Sequence, residues 1–101
     1  MWEGRIDPPA WVRLVAEGPA RIFGLWPRKG SLRVGADADL VLWDPHARRT
    51  IFAADGQSRC DHTIWEGRET VGSPVKVWSR GELVLDGGVL TAAAGRGRYV
   101  R

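Results

Sequence analysis

The chain has 101 residues, 44% of them hydrophobic, which suffices for one small domain with a single core. Its net charge of +3 comes from thirteen Arg and two Lys against twelve interspersed acids, too small an excess to point to nucleic acid. The single cysteine, Cys60, excludes an internal disulfide; no apolar run approaches the roughly 20 residues of a membrane span; and Met1 is not followed by the apolar region of a signal peptide, so a soluble, cytoplasmic protein is expected.

A chain of this size should bury somewhat over ~60% of the surface that its unfolded form exposes. The 13 glycines and 6 prolines are spread along it, which favours frequent turns and short strands over long helices. Asp7-Pro8-Pro9 is a helix start, with Asp7 as N-cap and Pro8 at the first helical position, where a missing N–H costs nothing. Trp11, Val12, Leu14 and Val15 cover one broad face, expected in a core or an interface, and Gly18-Pro19 should end the element after about ten residues. Pro19 can then open a second, shorter turn through Ala20, Ile22 and Phe23, stopped by Gly24.

From Ser31 onward the pattern changes to short β-type runs. Leu40 to Trp43 reads as an apolar strand closed by Asp44-Pro45, since Pro cannot continue a central ladder. Thr50 to Phe52 reads as another. Val75, Val77 and Leu83 to Leu85 flank Ser79-Arg80-Gly81-Glu82, a tight hairpin turn, and Asp86-Gly87-Gly88 offers a further turn before Val89-Leu90. Residues 54 to 74 show little periodicity, and so long an irregular loop is normally functional or packed on something else. The fold expected is mainly β with N-terminal helices, an α+β arrangement of four to six strands.

The stretch GADADLVLWDP, residues 35 to 45, raises the question of chemistry most directly. A catalytic carboxylate pair converges on one bond from separated positions, whereas Asp37 and Asp39 stand two apart beside Gly35. They fit a turn in which an Asp side chain accepts a backbone N–H and the Gly takes a positive φ. Metal sites need ligands at tight spacing, and the only two histidines, His46 and His62, are sixteen residues apart. Cys60-Asp61-His62 is the one local cluster, a weak candidate for a two-ligand site or a thiolate pair, against the plainer reading of ordinary loop residues. No nucleophile motif is present.

Gly95-Arg96-Gly97-Arg98-Tyr99 alternates Arg with Gly beside an aromatic ring, a pattern that could contact RNA phosphates and stack a base. A terminus that is solvated or touches another subunit is the simpler reading. Six tryptophans (Trp2, Trp11, Trp26, Trp43, Trp65, Trp78) hint at surface buried against something else, with core packing the competing account. Trp78 should face away from Val75 and Val77 in its strand, toward a second layer or a partner.

Taken in order, Pro19 to Leu25 (PARIFGL), Pro27 to Gly30 (PRKG), Gly35 to Val41 (GADADLV), Asp61 to Gly67 (DHTIWEG), Arg80-Gly81-Glu82 and Gly95 to Tyr99 (GRGRY) resemble the C-terminal part of the cyclic amidases of the amidohydrolase superfamily. Within them the series is most similar to the D-hydantoinase/dihydropyrimidinase branch, from about Gly4 to Arg101. Gly18 stands where that family usually has Asn before Pro-Ala, and His62 and Ile64-Trp65 replace its commoner aromatic and Pro-Tyr residues.

The resemblance implies a metal-dependent hydrolase of cyclic amide bonds, built on a (β/α)8 barrel with a smaller β-sandwich. Its binuclear, zinc-type metal site would use barrel ligands that have no counterpart in this chain. By the same resemblance, residues 1–30 would be terminal barrel helices and a linker, and residues 31–101 the C-terminal strands of a partial sandwich, a long loop and a tail. The chain itself would hold no cofactor and no catalytic residue. Trp65, Trp78, Arg96, Arg98 and Tyr99 would be subunit contacts, and the partners would be the catalytic barrel or further copies of the chain. A small stand-alone RNA- or protein-binding β domain, using the Arg-Gly tail and exposed Trp, is the competing expectation.

Overall fold

The computed structural model describes residues 4–100, so Trp2 and Arg101 lie outside it. The chain opens with a helical rod in three contiguous pieces: α1 (Pro8–Val12), a π-helical turn (Arg13–Glu17) and α2 (Gly18–Ile22). Asp7 caps it as expected, its carboxylate accepting the Ala10 N–H at 2.7 Å. The break expected at Gly18-Pro19 does not occur, for Gly18 keeps right-handed helical angles of −58° and −55°. Its N–H reaches back five residues to the Arg13 carbonyl, a π bond that widens the turn just ahead of the proline. That extra residue is how the rod accommodates a ring that would otherwise crowd the preceding turn.

The rod ends where the sequence placed its stop. Gly24 takes φ of +70°, its N–H bonds the Arg21 carbonyl at 3.2 Å, and the Leu25 N–H bonds Ala20 at 2.8 Å, the two reciprocal bonds of a Schellman motif. The linker then folds back over the rod so closely that a Cβ at Gly30 would lie 2.7 Å from the Ala20 Cβ and 2.8 Å from the Ala16 carbonyl oxygen.

Four antiparallel strands follow in one sheet of order β1 (Leu40–Thr50), β2 (Glu69–Ser79), β3 (Glu82–Asp86), β4 (Val89–Leu90). This is the mainly β, α+β arrangement expected. Pro45 does not close the first strand as its sequence suggested, because it falls in a bulge. Asp44 pairs with Ser73 and Arg48 with Val71, so residues 45–47 stand opposite Gly72 alone. The Asp44 carboxylate stabilises this bulge by accepting the N–H groups of His46 at 2.8 Å and Ala47 at 3.2 Å. Thr50 ends β1 and does not begin a strand of its own.

The irregular loop is shorter than residues 54 to 74, since β2 already starts at Glu69. Ile51 closes it by bonding Arg68 and Gly67 at 3.0 and 2.8 Å, and Glu66 accepts the Ala53 N–H at 2.8 Å. The result is a pinched surface loop with its ends side by side. Both hairpin turns are as expected. Arg80-Gly81 and Gly87-Gly88 have positive φ throughout, the type I′ geometry that matches strand twist. Arg80 is a poor residue for φ of +51°, a conformation that costs an L-residue roughly 1–2 kcal/mol.

Rod and sheet meet through Trp11 and Trp43, whose ring centroids are 5.2 Å apart at 52°. The Trp43 indole lies over Gly72, where a Cβ would come within 2.9 Å of it. Little else is enclosed. Among the described residues only Ala20 and Gly72 are buried, and Leu14, Val15, Ile22 and Phe23 along the rod are exposed. The accessible surface is 8080 Å², whereas a folded monomer of 11.2 kDa exposes roughly 5,700 Å². Against an unfolded surface of roughly 16,000 Å², about half is buried and not the expected fraction of over ~60%. A single twisted sheet with one rod has no second layer to cover its other faces.

Candidate functional site

The described residues converge on one charged cluster, at the end of the sheet where the linker, the approach to β1 and the β2/β3 turn meet. Lys29 Nζ lies 2.8 Å from Asp37 Oδ2 and 2.6 Å from Asp39 Oδ2, and Arg28 Nε is 3.2 Å from Asp37 Oδ2. The main chain runs parallel to these ion pairs, the Asp37 N–H donating to the Arg28 carbonyl at 2.9 Å. Asp39 also faces the hairpin. Its Oδ1 accepts the Arg80 N–H at 2.9 Å, and the Gly81 N–H bonds the Ala38 carbonyl at 3.0 Å.

Electrostatics follow from this geometry. The Asp37 side chain, then Asp39, raises Lys29 above its ordinary range, and Lys29 holds Asp37 below the usual carboxylate range. Burial pushes Asp39 up, but the Lys29 ammonium and the Arg80 N–H outweigh it, so its carboxyl also ends below the usual range. Gly35 has φ of +92°, and one Asp side chain, that of Asp39, accepts a backbone N–H. The donor is not local, however. It lies 41 residues downstream, and the pairing with Lys29 is likewise invisible to a search for sequential motifs. The cluster joins three segments and has no free acid or base to offer a substrate.

The hairpin is held from its other side by the tail. Arg96 donates to the Ser79 carbonyl at 2.7 Å and to Glu82 Oε2 at 3.0 Å, while the Arg80 guanidinium donates to the Arg96 carbonyl. Arg96 is therefore half-buried; Arg98 and Tyr99 are exposed. Trp78 is half-buried, paired with Leu40 and Leu83, and Trp65 is 49% exposed with Arg68 stacked 5.2 Å from its ring centroid.

Cys60, Asp61 and His62 lie exposed on the pinched loop. His62 Nδ1 is 2.8 Å from Asp61 Oδ1, with both side chains in solvent. Among the described residues no three His, Cys, Asp or Glu side chains gather closely enough to hold a metal ion. The donor set of a binuclear centre does not fit these residues. No described helix is long and apolar enough to cross a membrane.

Comparison with known proteins gives a consistent picture. The model of the family described as "Amidohydrolase family" matches residues 1–84. The D-phenylhydantoinase of Escherichia coli O127:H6 (strain E2348/69 / EPEC) is 43% identical over 98 residues, covering 97% of this chain and 21% of the relative. A solved structure titled "Crystal structure of D-hydantoinase" superposes with a TM-score of 0.95 at 38% identity, covering 99% of this chain and 22% of that one. The L-hydantoinase (dihydropyrimidinase) of Arthrobacter aurescens superposes with a TM-score of 0.85 at 32% identity, over 89% of this chain and 20% of that one. The chain thus spans about a fifth of the length of the relatives it matches. With the family's pattern running through most of its sequence, and a fold shared over nearly all of its length with hydantoinases, this chain belongs to the amidohydrolase family.

Proposed function

We propose that the chain is the C-terminal, non-catalytic portion of a metal-dependent cyclic amidohydrolase that hydrolyses the cyclic amide C–N bond of hydantoins or dihydropyrimidines. On this reading, residues 1–30 are terminal helices of a catalytic barrel with a linker, and residues 31–101 are sandwich strands, loop and tail. The observation that carries it is a mismatch of surface. A chain matching relatives over 97% of its own length and 21% of theirs also exposes roughly 2,400 Å² more than a monomer of its mass. An interface of standard size takes only about 800 Å² from each partner, so more than one covering element is called for.

The covering elements on this reading are the catalytic barrel and further copies of the chain, met in the cytoplasm. Trp65, Trp78, Arg96, Arg98 and Tyr99 are the proposed contact residues. A binuclear, zinc-type centre would sit in the barrel, and the chain's role would be scaffold and subunit contact. The test is to assay the purified chain, with and without added zinc, on hydantoin and on a dihydropyrimidine. It is then mixed with the E. coli D-phenylhydantoinase lacking its matching fifth. Inactivity alone and restored hydrolysis in the mixture are expected; turnover by the chain alone overturns the non-catalytic reading.

A small RNA-binding domain is the second reading, favoured by the exposed Arg98 and Tyr99. Arg96 weakens it by turning inward to the hairpin. RNA affinity that falls steeply with salt would support it, and no measurable binding would end it.

A further inference from the structure

We propose that the two-residue turn Arg80-Gly81 couples the C-terminal tail to the linker behind the helical rod, so that lifting the tail loosens the Lys29 clamp and releasing the clamp frees the tail. This device does not depend on the functional reading above. The turn is gripped from two sides by groups far apart in sequence. On one side Asp39 accepts the Arg80 N–H at 2.9 Å while its second oxygen takes Lys29 at 2.6 Å. On the other, Arg96 spans the turn from Ser79 to Glu82, and its own carbonyl receives the Arg80 guanidinium.

Arg80 is thus held at its N–H by the linker side and at its guanidinium by the tail side, in a left-handed conformation (φ +51°) that is costly for an L-residue and that these grips help the hairpin to keep. Losing either grip leaves the strained residue less determined and weakens the other. The structure holds one arrangement of this turn, biased from both sides; coupling between the two segments follows from a second arrangement that becomes populated when either grip is lost. Any surface that captures the Arg-Gly tail by competing for Arg96, such as a cluster of carboxylates, would therefore be felt at Lys29.

Hydrogen exchange on the full chain tests this. Arg96→Ala is expected to speed exchange several-fold in peptides covering residues 28–39, where the Asp37 N–H is bonded to Arg28. Lys29→Ala is expected to speed tryptic cleavage after Arg96 by a similar factor. Arg98→Ala, a change at an exposed arginine of the same tail, should do neither. If Arg96→Ala accelerates exchange throughout the β1/β2 ladder it has unfolded the sheet, and Arg96→Lys, which keeps the charge and loses the fork, decides the matter. Wild-type exchange at 28–39 in the folded Arg96 variant overturns the coupling.

Discussion

Lys29 and Asp39 are ten residues apart, and their Nζ and Oδ2 atoms stand 2.6 Å from each other, with the other oxygen of Asp39 on the hairpin backbone. The pair therefore ties the linker that follows the helical rod to the sheet. Lys29→Ala leaves two carboxylates facing each other without their shared cation, and is expected to lower stability by about 1 kcal/mol. For a domain of this size that is a fall in melting temperature of about 4–8 °C, readable by circular dichroism. Lys29→Met, which keeps the alkyl stem, should show nearly the same loss if charge is the cause.

The same cluster sets a pH window. Asp37 and Asp39 titrate lower in the folded chain than unfolded, so their contribution is present above the ordinary carboxylate value of about 4 and is lost as pH falls through the depressed folded values. Lys29 titrates higher folded than unfolded, so its contribution is present below the ordinary lysine value of about 10.4 and is lost as pH rises through the folded one. Thermal denaturation scanned over pH should show the Lys29→Ala penalty between those limits and see it shrink beyond either. A penalty that does not change with pH would contradict the ion-pair origin.

Gly72 faces the bulge with φ of +97° under the Trp43 indole, a rigid ring that cannot swing aside as a flexible chain end would. Gly72→Ala should therefore cost roughly 1–3 kcal/mol, measured by denaturant midpoint. At Gly97 a Cβ meets nothing within 4 Å and φ is not positive, so Gly97→Ala should be nearly neutral.

Pro19 lies within the continuous rod, next to the π bond from Gly18 to Arg13. Pro19→Ala restores an N–H and removes the ring, letting the wide turn tighten to ordinary α geometry. Greater helical ellipticity at 222 nm and a higher melting temperature are the expected result.

The rod exposes Leu14 at 64% and Ile22 at 81%. Leu14→Glu combined with Ile22→Glu should leave the fold intact while raising solubility and reducing self-association, as read by sedimentation velocity. Unchanged association would move the contact to another face.

Local chemistry made much of this architecture legible in the sequence. The Asp7 cap, the Gly24 stop and both glycine-bearing hairpin turns each depend on a few neighbouring residues, and each stands where the pattern put it. What escaped depends on partners distant in sequence or on compensation. Pro19 did not break the rod because a π turn absorbed it, and Pro45 did not end β1 because Asp44 built a bulge around it. The aspartates of GADADLVLWDP suggested local turn chemistry, whereas their partners, Lys29 and Arg80, come beside them only once the linker and the hairpin are in place. The shortfall in burial has the same root, because a composition fit for a core does not say which chain supplies the covering layer.

Trp11 on the rod and Trp43 on the sheet form a tilted pair of indoles at 5.2 Å, close enough for their excited states to mix. Such a pair signs its own geometry in the far ultraviolet, as a bisignate band of circular dichroism that vanishes when the rings part. The domain thus carries an optical gauge of whether its helix remains docked, one that can be followed without any label and in whatever larger assembly contains it.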